Sequence, residues 1–501
     1  MSARVEPDNA AQSPVHPVET NPEAVDALVG AATTAAKWMK DRTPAERGKL
    51  LQAVASALDV RGEAFVDVAE RESHLGRDRL RGELARTTFQ LRFFADVLAA
   101  GWVTPAIVDR ADPNWPVGPR PDLRRALFPI GPVVVFAAGN FPFAFSVAGG
   151  DTASALAAGC PVLLKAHPGH LELSAMVART VMEALNLCGA PSGAFTLVVG
   201  DEAGRAVLGH PGVRAAAFTG SMHVGRVLFD LANRRPIPIP FYGELGSVNP
   251  VFVTERAAAA RLDSILNGFL QSFGLGSGQF CTKPGILVVP AKSSAADELG
   301  KRMSERRPSL LLSESITAAY RARVAELTSS LAARIVHAGE VTDAGVTPTL
   351  IEAPMEAARS DLENLATECF GPAAVVVTCT SHDEMIELAT SLEGQLTGTV
   401  FGDEDDPVAA ALVEVLAERV GRVVWNDWPT GVSVTWAMHH GGPYPATTAP
   451  LSTSVGATAI LRFLRPVVFQ QVPNAVLPPA LRDNQLSEAL HASDGRWQAA
   501  R

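Results

Sequence analysis

The chain of 501 residues is 47% hydrophobic and 19% charged, with a formal net charge of −10. That length divides into two or three domains with sizeable cores, and the composition excludes a disordered chain. The acidic balance, with no Lys/Arg-rich block, speaks against nucleic acid as the main partner.

Met1 to Glu23 is polar and Pro-rich without an apolar centre, so residues 1–22 are expected to be a flexible leader and not a secretory signal. Helices are predicted from Pro22 to Gly101. Within them Thr43-Pro44-Ala45-Glu46 is a capping box with Pro at the first helical position, leading into Leu50, Leu51, Val54 and Leu58 at helical spacing. Between 103 and 125 Pro, Asp and Arg dominate. Turn formers around Asn114-Trp115-Pro116-Val117-Gly118 predict a hairpin or an arm outside the core. From Phe128 to Gly220 short apolar runs alternate with helical stretches. Strands are predicted at Pro132 to Ala138, Pro161 to Lys165, Ala194 to Val199 and Arg214 to Phe218, and helices at Ala144 to Ala158, Ser174 to Leu187 and Glu202 to Leu208. Repeated β-α-β units predict a doubly wound parallel sheet with its ligand site at the carboxyl ends of the strands. A second alternating block runs from Asn249 to Asp427, with strands near Val251, Ile286, Val375, Val400 and Val423. An active site then belongs in the cleft between two α/β domains. After Pro466 the run Val467-Val468-Phe469 is strand-like, and irregular sequence follows. The apolar run Pro132 to Ala138 is too short to span a bilayer, and the five cysteines show no Cys-x-x-Cys pairing. No membrane association, no metal site and a reducing, cytoplasmic compartment are expected.

Four features carry chemistry. Phe218-Thr219-Gly220-Ser221-Met222-His223-Val224-Gly225 ends a strand in Gly and opens a helix after Ser, the form of a phosphate site at a helix N-terminus. Lys165 follows an apolar strand and stands at the carboxyl edge of the sheet. Glu244 lies among apolar residues and glycines, where burial raises a carboxyl pKa toward that of a general base near neutrality. Cys281 follows the glycine-rich turn Gly274 to Gly278, where a nearby helix start or base lowers a thiol pKa. Each has an ordinary structural explanation too: a Gly kept for backbone freedom, a snorkelling surface Lys, a solvated Glu in a turn, an inert core thiol. Cys160, Cys188, Cys369 and Cys379 sit in apolar or small-residue runs and are read as core residues of that last kind.

Asn140, Lys165, the 218–225 stretch, Glu244-Leu245-Gly246, Gly278-Gln279-Phe280-Cys281 and Glu368-Cys369-Phe370-Gly371-Pro372 occur in the order found in the aldehyde dehydrogenase superfamily. The chain resembles that family from about Val25 to Phe469. Gly139 to Ser146, Gly149 to Ala153, Glu244 to Pro250, Gly278 to Gly285 and His440 to Thr447 resemble one branch. That branch holds the α-ketoglutaric semialdehyde (2,5-dioxopentanoate) dehydrogenases and related NADP-dependent fatty aldehyde dehydrogenases. The resemblance implies an α/β fold of two doubly wound domains plus a small oligomerisation arm. The Rossmann-like cofactor domain would span 23–108 and 127–245, the catalytic domain 246–447, and the arm with the C-terminal tail 109–126 and 448–501. It implies NAD(P)-dependent oxidation of a small-molecule aldehyde to an acid, with Cys281 as nucleophile, Glu244 as base and Asn140 as donor to the oxyanion. It assigns Lys165, Gly220, Ser221, Gly225, Glu368 and Phe370 to the cofactor, sets His440 or its neighbour His439 near the nucleophile, and implies a homo-oligomer, dimer or tetramer.

Many NAD-preferring relatives carry a Glu three residues after the strand-end Lys; here that position is Pro168, so NADP is expected over NAD. His167, His170 and Arg205 are candidate partners of a 2′-phosphate. For a substrate carboxylate Arg124, Arg125 and Arg422 are available, and for a long-chain aldehyde Phe141, Phe143, Phe145, Trp428 and Trp436. The oxo-acid semialdehyde is the favoured substrate and an aliphatic aldehyde the alternative. A CoA-acylating enzyme is disfavoured by Glu244, which such relatives lack, and a catalytically silent binding protein is disfavoured by the joint presence of Asn140, Glu244, Cys281 and Glu368.

Overall fold

The computed structural model describes residues 18–330, 333–486 and 490–499; most of the expected leader, residues 1–17, lies outside them. At Thr20 the chain is already joined to the first sheet: its N–H donates to Val199 O (2.9 Å), and its Oγ1 accepts from Val199 N–H (3.0 Å).

Thr43 closes the predicted capping box on Glu46 and starts the helix Pro44–Val60. Leu50, Leu51, Val54 and Leu58 are buried on one face of it, in the same core as Leu80, Leu84, Leu91 and Phe94 of the long helix Arg77–Ala100. That core continues under a five-stranded, all-parallel sheet. Its spatial order is Phe195–Val198, Val162–Lys165, Val133–Phe136, Ala215–Thr219, Phe241–Glu244. The order reverses at Val133–Phe136, whose carboxyl end therefore opens beside that of Ala215–Thr219 to form a ligand crevice.

This sheet departs from the predicted elements in two places. The helix expected from Ala144 begins at Gly150. The backbone N–H groups of Phe143 and Ala144 are taken by Glu83 Oε1 of the long helix (2.8 and 2.9 Å), which holds the intervening segment in turns. The 241–250 stretch, where no strand was predicted, opens as the fifth strand. Gly and Glu are depleted in strands, and four residues give no periodicity to set against them.

The second sheet has seven strands in the order Arg334–His337, Thr349–Pro354, Ala373–Cys379, Ile286–Pro290, Val251–Val253, Gln395–Phe401, Val420–Trp425. Five match the expected positions. The two unexpected ones extend one edge, and Arg334–His337 runs antiparallel there with half its residues exposed. A third sheet is the arm: Leu464–Gln470, Leu123–Pro129, Ala106–Asp109, His491–Ser493 and Arg496–Gln498. Leu464–Gln470 lies antiparallel to Leu123–Pro129, with Val468 opposite Arg125. No described helix is long and apolar enough to cross a membrane.

Candidate active site

A cleft of about 1400 Å³ opens at the carboxyl ends of the first sheet and is closed on its far side by the second domain. Phe136, Lys165, Thr219 and Glu244 line it from the first sheet, Cys281, Glu368, Phe370 and Gln395 from the catalytic domain. Ser221 N-caps the helix Met222–Asn233, its Oγ accepting from Val224 N–H at 3.4 Å, so the free N–H groups of that helix end face the cleft. A Cβ on Gly225 would lie 2.1 Å from Leu245 Cδ2, so only glycine lets this helix approach the sheet so closely. Glycine turn, helix N-terminus, strand-end Lys165 and cleft size together fit a dinucleotide.

The chemical centre lies at the inner end of the cleft. Glu244 ends the fifth strand, 4% exposed, and His440 is 2% exposed. His440 Nε2 sits 3.0 Å from Glu244 Oε1 and 3.6 Å from Cys281 Sγ, while Ser454 Oγ donates to Glu244 Oε2 at 2.8 Å. The donor atoms of Glu244, Cys281 and His440 all lie within 4.8 Å of one another. His440, not His439, is thus the histidine beside Cys281. Asn140 Nδ2 donates one hydrogen to Gln279 O (3.0 Å), which leaves its second amide hydrogen for a ligand.

Two electrostatic expectations are reversed. Burial works to raise the Glu244 carboxyl, but the His440 ring and the polar hydrogens of His440, Ser454 and Cys281 outweigh it and hold the group below its ordinary value. Cys281 lies well above the ordinary thiol value, first through burial and then through the adjacent Glu244 carboxylate. The resting pair is therefore thiol and carboxylate. Burial also pushes Glu368 up to about 7, with Lys283 pulling it down and Glu244 adding to the rise.

Several positioning residues carry no sequence signal of their own. Asn249 Nδ2 donates to the carbonyls of Cys281 (2.8 Å) and Lys283 (3.0 Å), fixing the backbone around Cys281. Lys283 Nζ donates to Cys369 O, Gly371 O and Ala373 O at 2.7, 3.1 and 2.8 Å, tying the Cys281 loop to the Glu368 loop. Arg79 donates to Asn140 O at 2.7 Å while stacked between Phe141 and Phe280, and Glu83 fixes residues 143–144. The signal that would have found Arg79 and Glu83 is their shared helix face, read together with their charge.

Other candidates fall away from the site. Arg124 is locked in the arm on Asp122, Asp483 and the Leu481 carbonyl, and Arg125 is exposed on the same strand. His170 is sealed between Ala138 O and Ser174 Oγ. Burial, then His170 and Lys165, bring the neighbouring His167 down to about 3, so it supplies no charge to a phosphate. Of the three phosphate candidates Arg205 alone remains an exposed cation on the cleft. Lys165 Nζ is met by Asp201 at 2.5 Å. Trp428 packs on Phe269 and Phe401 inside the catalytic domain, and Trp436 on Phe93 and Trp102. Cys188, expected in the core, is exposed where the helix Leu171–Leu187 ends, whereas Cys160, Cys369 and Cys379 are buried.

Residues 5–444 match the model of the aldehyde dehydrogenase family. The chain is 43% identical over 460 residues to α-ketoglutaric semialdehyde dehydrogenase 2 of Azospirillum brasilense, covering 90% of this chain and 87% of that one. It is 39% identical over 468 residues to the α-ketoglutaric semialdehyde dehydrogenase of Acinetobacter baylyi, covering 92% and 89%. Among solved structures, aldehyde dehydrogenase 21 of Physcomitrella patens in complex with succinate superposes with a TM-score of 0.77 at 22% identity, over 92% of each chain. The NADP-dependent glyceraldehyde-3-phosphate dehydrogenase of Bacillus halodurans complexed with NADP gives 0.76 at 21% identity, over 91% and 92%. With a dinucleotide-shaped cleft ending on a Cys–His–Glu cluster and this breadth of match, the chain belongs to the aldehyde dehydrogenase family, oxidoreductases that act on aldehydes with NAD(P).

Proposed function

We propose that this chain oxidises α-ketoglutaric semialdehyde (2,5-dioxopentanoate) to 2-oxoglutarate through a thioester on Cys281. The observation that carries the chemistry is the contact of Cys281, His440 and Glu244 at the inner end of the cleft. The substrate follows the two relatives at 43% and 39% identity. Cys281 Sγ adds to the aldehyde carbon while its proton passes to Glu244, with His440 Nε2 placed to relay it. The resulting oxyanion receives the second Asn140 amide hydrogen and the Cys281 N–H. NAD(P), when bound, supplies the two-electron oxidant that accepts the aldehyde hydride. Glu244 releases that proton to solvent, then takes one from water as it attacks the Cys281 thioester and passes it to the departing Sγ, so the carboxylic acid leaves as the thiol is restored. Gly220, Ser221, Gly225, Lys165, Glu368 and Phe370 form the bed on which the cofactor is held.

NADP is favoured by Pro168, which puts no carboxylate beside the ribose, and by Arg205 on the cleft. One observation favours NAD: the Asp201 carboxylate beside Lys165 is placed to accept hydrogen bonds from ribose hydroxyls and to repel a 2′-phosphate. The reading includes a cytoplasmic homo-oligomer built through the arm, with cofactor, catalytic and arm segments divided as the family resemblance implies. Steady-state rates with 2,5-dioxopentanoate and with a medium-chain aliphatic aldehyde, each with NADP and NAD, test substrate and cofactor together. A higher kcat/KM for the aliphatic aldehyde would overturn the substrate. Cys281→Ala is expected to abolish oxidation while retaining cofactor binding, and appreciable turnover in that variant would remove Cys281 from its role.

A further inference from the structure

A substrate that ends in a carboxylate needs a cation on the side of Cys281 away from the cofactor. Arg124 and Arg125 belong to the arm, so the guanidinium groups to weigh are Arg79, Arg86 and Arg422. Arg79 gives its Nη2 to the Asn140 carbonyl and is held between the rings of Phe141 and Phe280, which ties it to the Asn140 segment although its Nη1 has no partner. Arg422 uses both terminal nitrogens on the carbonyls of Pro429 and Gly431. Arg86 is held differently. It stands on the face of Arg77–Ala100 that also presents Arg79, Glu83 and Gln90, spaced i, i+4, i+7 and i+11. Its contacts, Nη1 to Gln90 Oε1 and Nη2 to Val432 O, are both 3.4 Å, at the outer limit of a hydrogen bond. Its guanidinium carbon lies 5.5 Å over the ring of Phe145, and that ring is 6.5 Å from His440, whose Nε2 touches Cys281 Sγ. Arg86 does not line the cofactor cleft, and the Phe145 ring neighbours both it and His440.

The charge balance points the same way. Burial lowers the Arg86 pKa, and the charges of Glu83 and Glu244 act against that. Among the described residues no carboxylate lies within ion-pair distance of Arg86. Glu83, the buried acid of the same helix face, spends one oxygen on two backbone N–H groups, and its charge acts on both Arg79 and Arg86 without an ion pair to either. A largely desolvated guanidinium without an ion-pair partner, one ring from the nucleophile, lacks an anion.

We propose that Arg86 is the group that receives the distal carboxylate of the aldehyde substrate, and so selects ω-carboxylated aldehydes over aliphatic ones. The inference rests on Cys281 as nucleophile and deepens the oxo-acid reading. In extended 2,5-dioxopentanoate four C–C bonds of roughly 1.5 Å place the carboxyl carbon about 5 Å from the aldehyde carbon, a span suited to the width of one intervening ring. Phe145 then serves as a wall along which the chain lies, and the guanidinium fork offers two parallel N–H groups to the carboxylate.

The test is the selectivity ratio, kcat/KM for a carboxylated aldehyde over its chain-matched uncharged aldehyde, in wild type, Arg86→Met and Arg86→Lys. The pairs are 2,5-dioxopentanoate with pentanal and succinate semialdehyde with butanal. Arg86→Met is expected to lower the ratio by on the order of a hundredfold, mainly through KM of the carboxylated member, and Arg86→Lys by a smaller factor, since charge remains without the fork. An unchanged ratio in Arg86→Met overturns the proposal, whether both rates fall or neither does. A wild type that prefers no carboxylated aldehyde overturns it as well. If wild type prefers succinate semialdehyde to 2,5-dioxopentanoate and Arg86→Met erases that pair's selectivity, the substrate reading fails and the role of Arg86 stands.

Discussion

Glu368 keeps its proton to about 7, first because its carboxyl is desolvated and then through the charge of Glu244, although Lys283 opposes the rise from the ordinary 4.5. The unfolded chain releases the same proton near 4.5. Between these values the folded state binds more protons, so this group's contribution to stability falls as pH rises from 4.5 to 7 and is constant above. The total is on the order of 3 kcal/mol. Glu368→Gln removes that dependence. We expect the variant to gain most of this stability over wild type at pH 8 and little of it at pH 5, read from urea midpoints, while its cofactor KM rises. An equal gain at both pH values would show that Glu368 does not titrate in this range. The same scale explains which residue roles were readable. Cys281, Glu244 and Asn140 stand in recognisable motifs, but the pKa of each acid depends on neighbours far away in sequence. Ser454 is 210 residues from Glu244, and His440 is 196.

The helix Arg77–Ala100 acts as a unit on the active site. Glu83 Oε1 accepts both N–H groups that fix residues 143–144, and its Oε2 has no partner in the structure. Glu83→Ala strands two buried N–H groups, which should cost about 2–4 kcal/mol and lower kcat by loosening the Asn140 segment. Glu83→Gln keeps the accepting oxygen. Because burial already pushes the Glu83 carboxyl up, the amide should hold stability within about 1 kcal/mol of wild type. Chemical denaturation of both variants checks the pair, and similar losses in both would remove Glu83 from this role. The sequence predicts helices from Pro22 to Gly101, so the existence of this helix was readable. That its polar face serves a catalytic segment some sixty residues on was not, because the two meet only when the helix packs across the first sheet.

In the whole molecule the arm sheet leaves Leu464–Gln470 as an open edge bearing Val467, Val468 and Phe469, with Val468 54% exposed. An apolar strand edge of this kind is a template for pairing with another chain. Val468→Lys puts a charge on that edge. It is expected to shift the protein to a smaller species in light scattering coupled to size exclusion, with its circular dichroism unchanged. An unaltered mass in the variant, or a monomeric wild type, would rule out assembly through this edge.

Local sequence by itself determined the alternating β-α-β blocks, the capping box at Thr43 and the glycine-bearing helix start at Ser221, because propensity, capping and period act over a few residues. Family order then singled out Cys281 among five cysteines. Tertiary structure alone decided the rest: which histidine meets Cys281, that Glu244 rests ionised and Cys281 protonated, that Arg124 is spent on Asp122, Asp483 and the Leu481 carbonyl, and that Arg86 lies over the Phe145 ring. Those are matters of distance and desolvation between residues remote in the chain, and Coulomb energy and burial depend on positions in space, not on spacing in sequence.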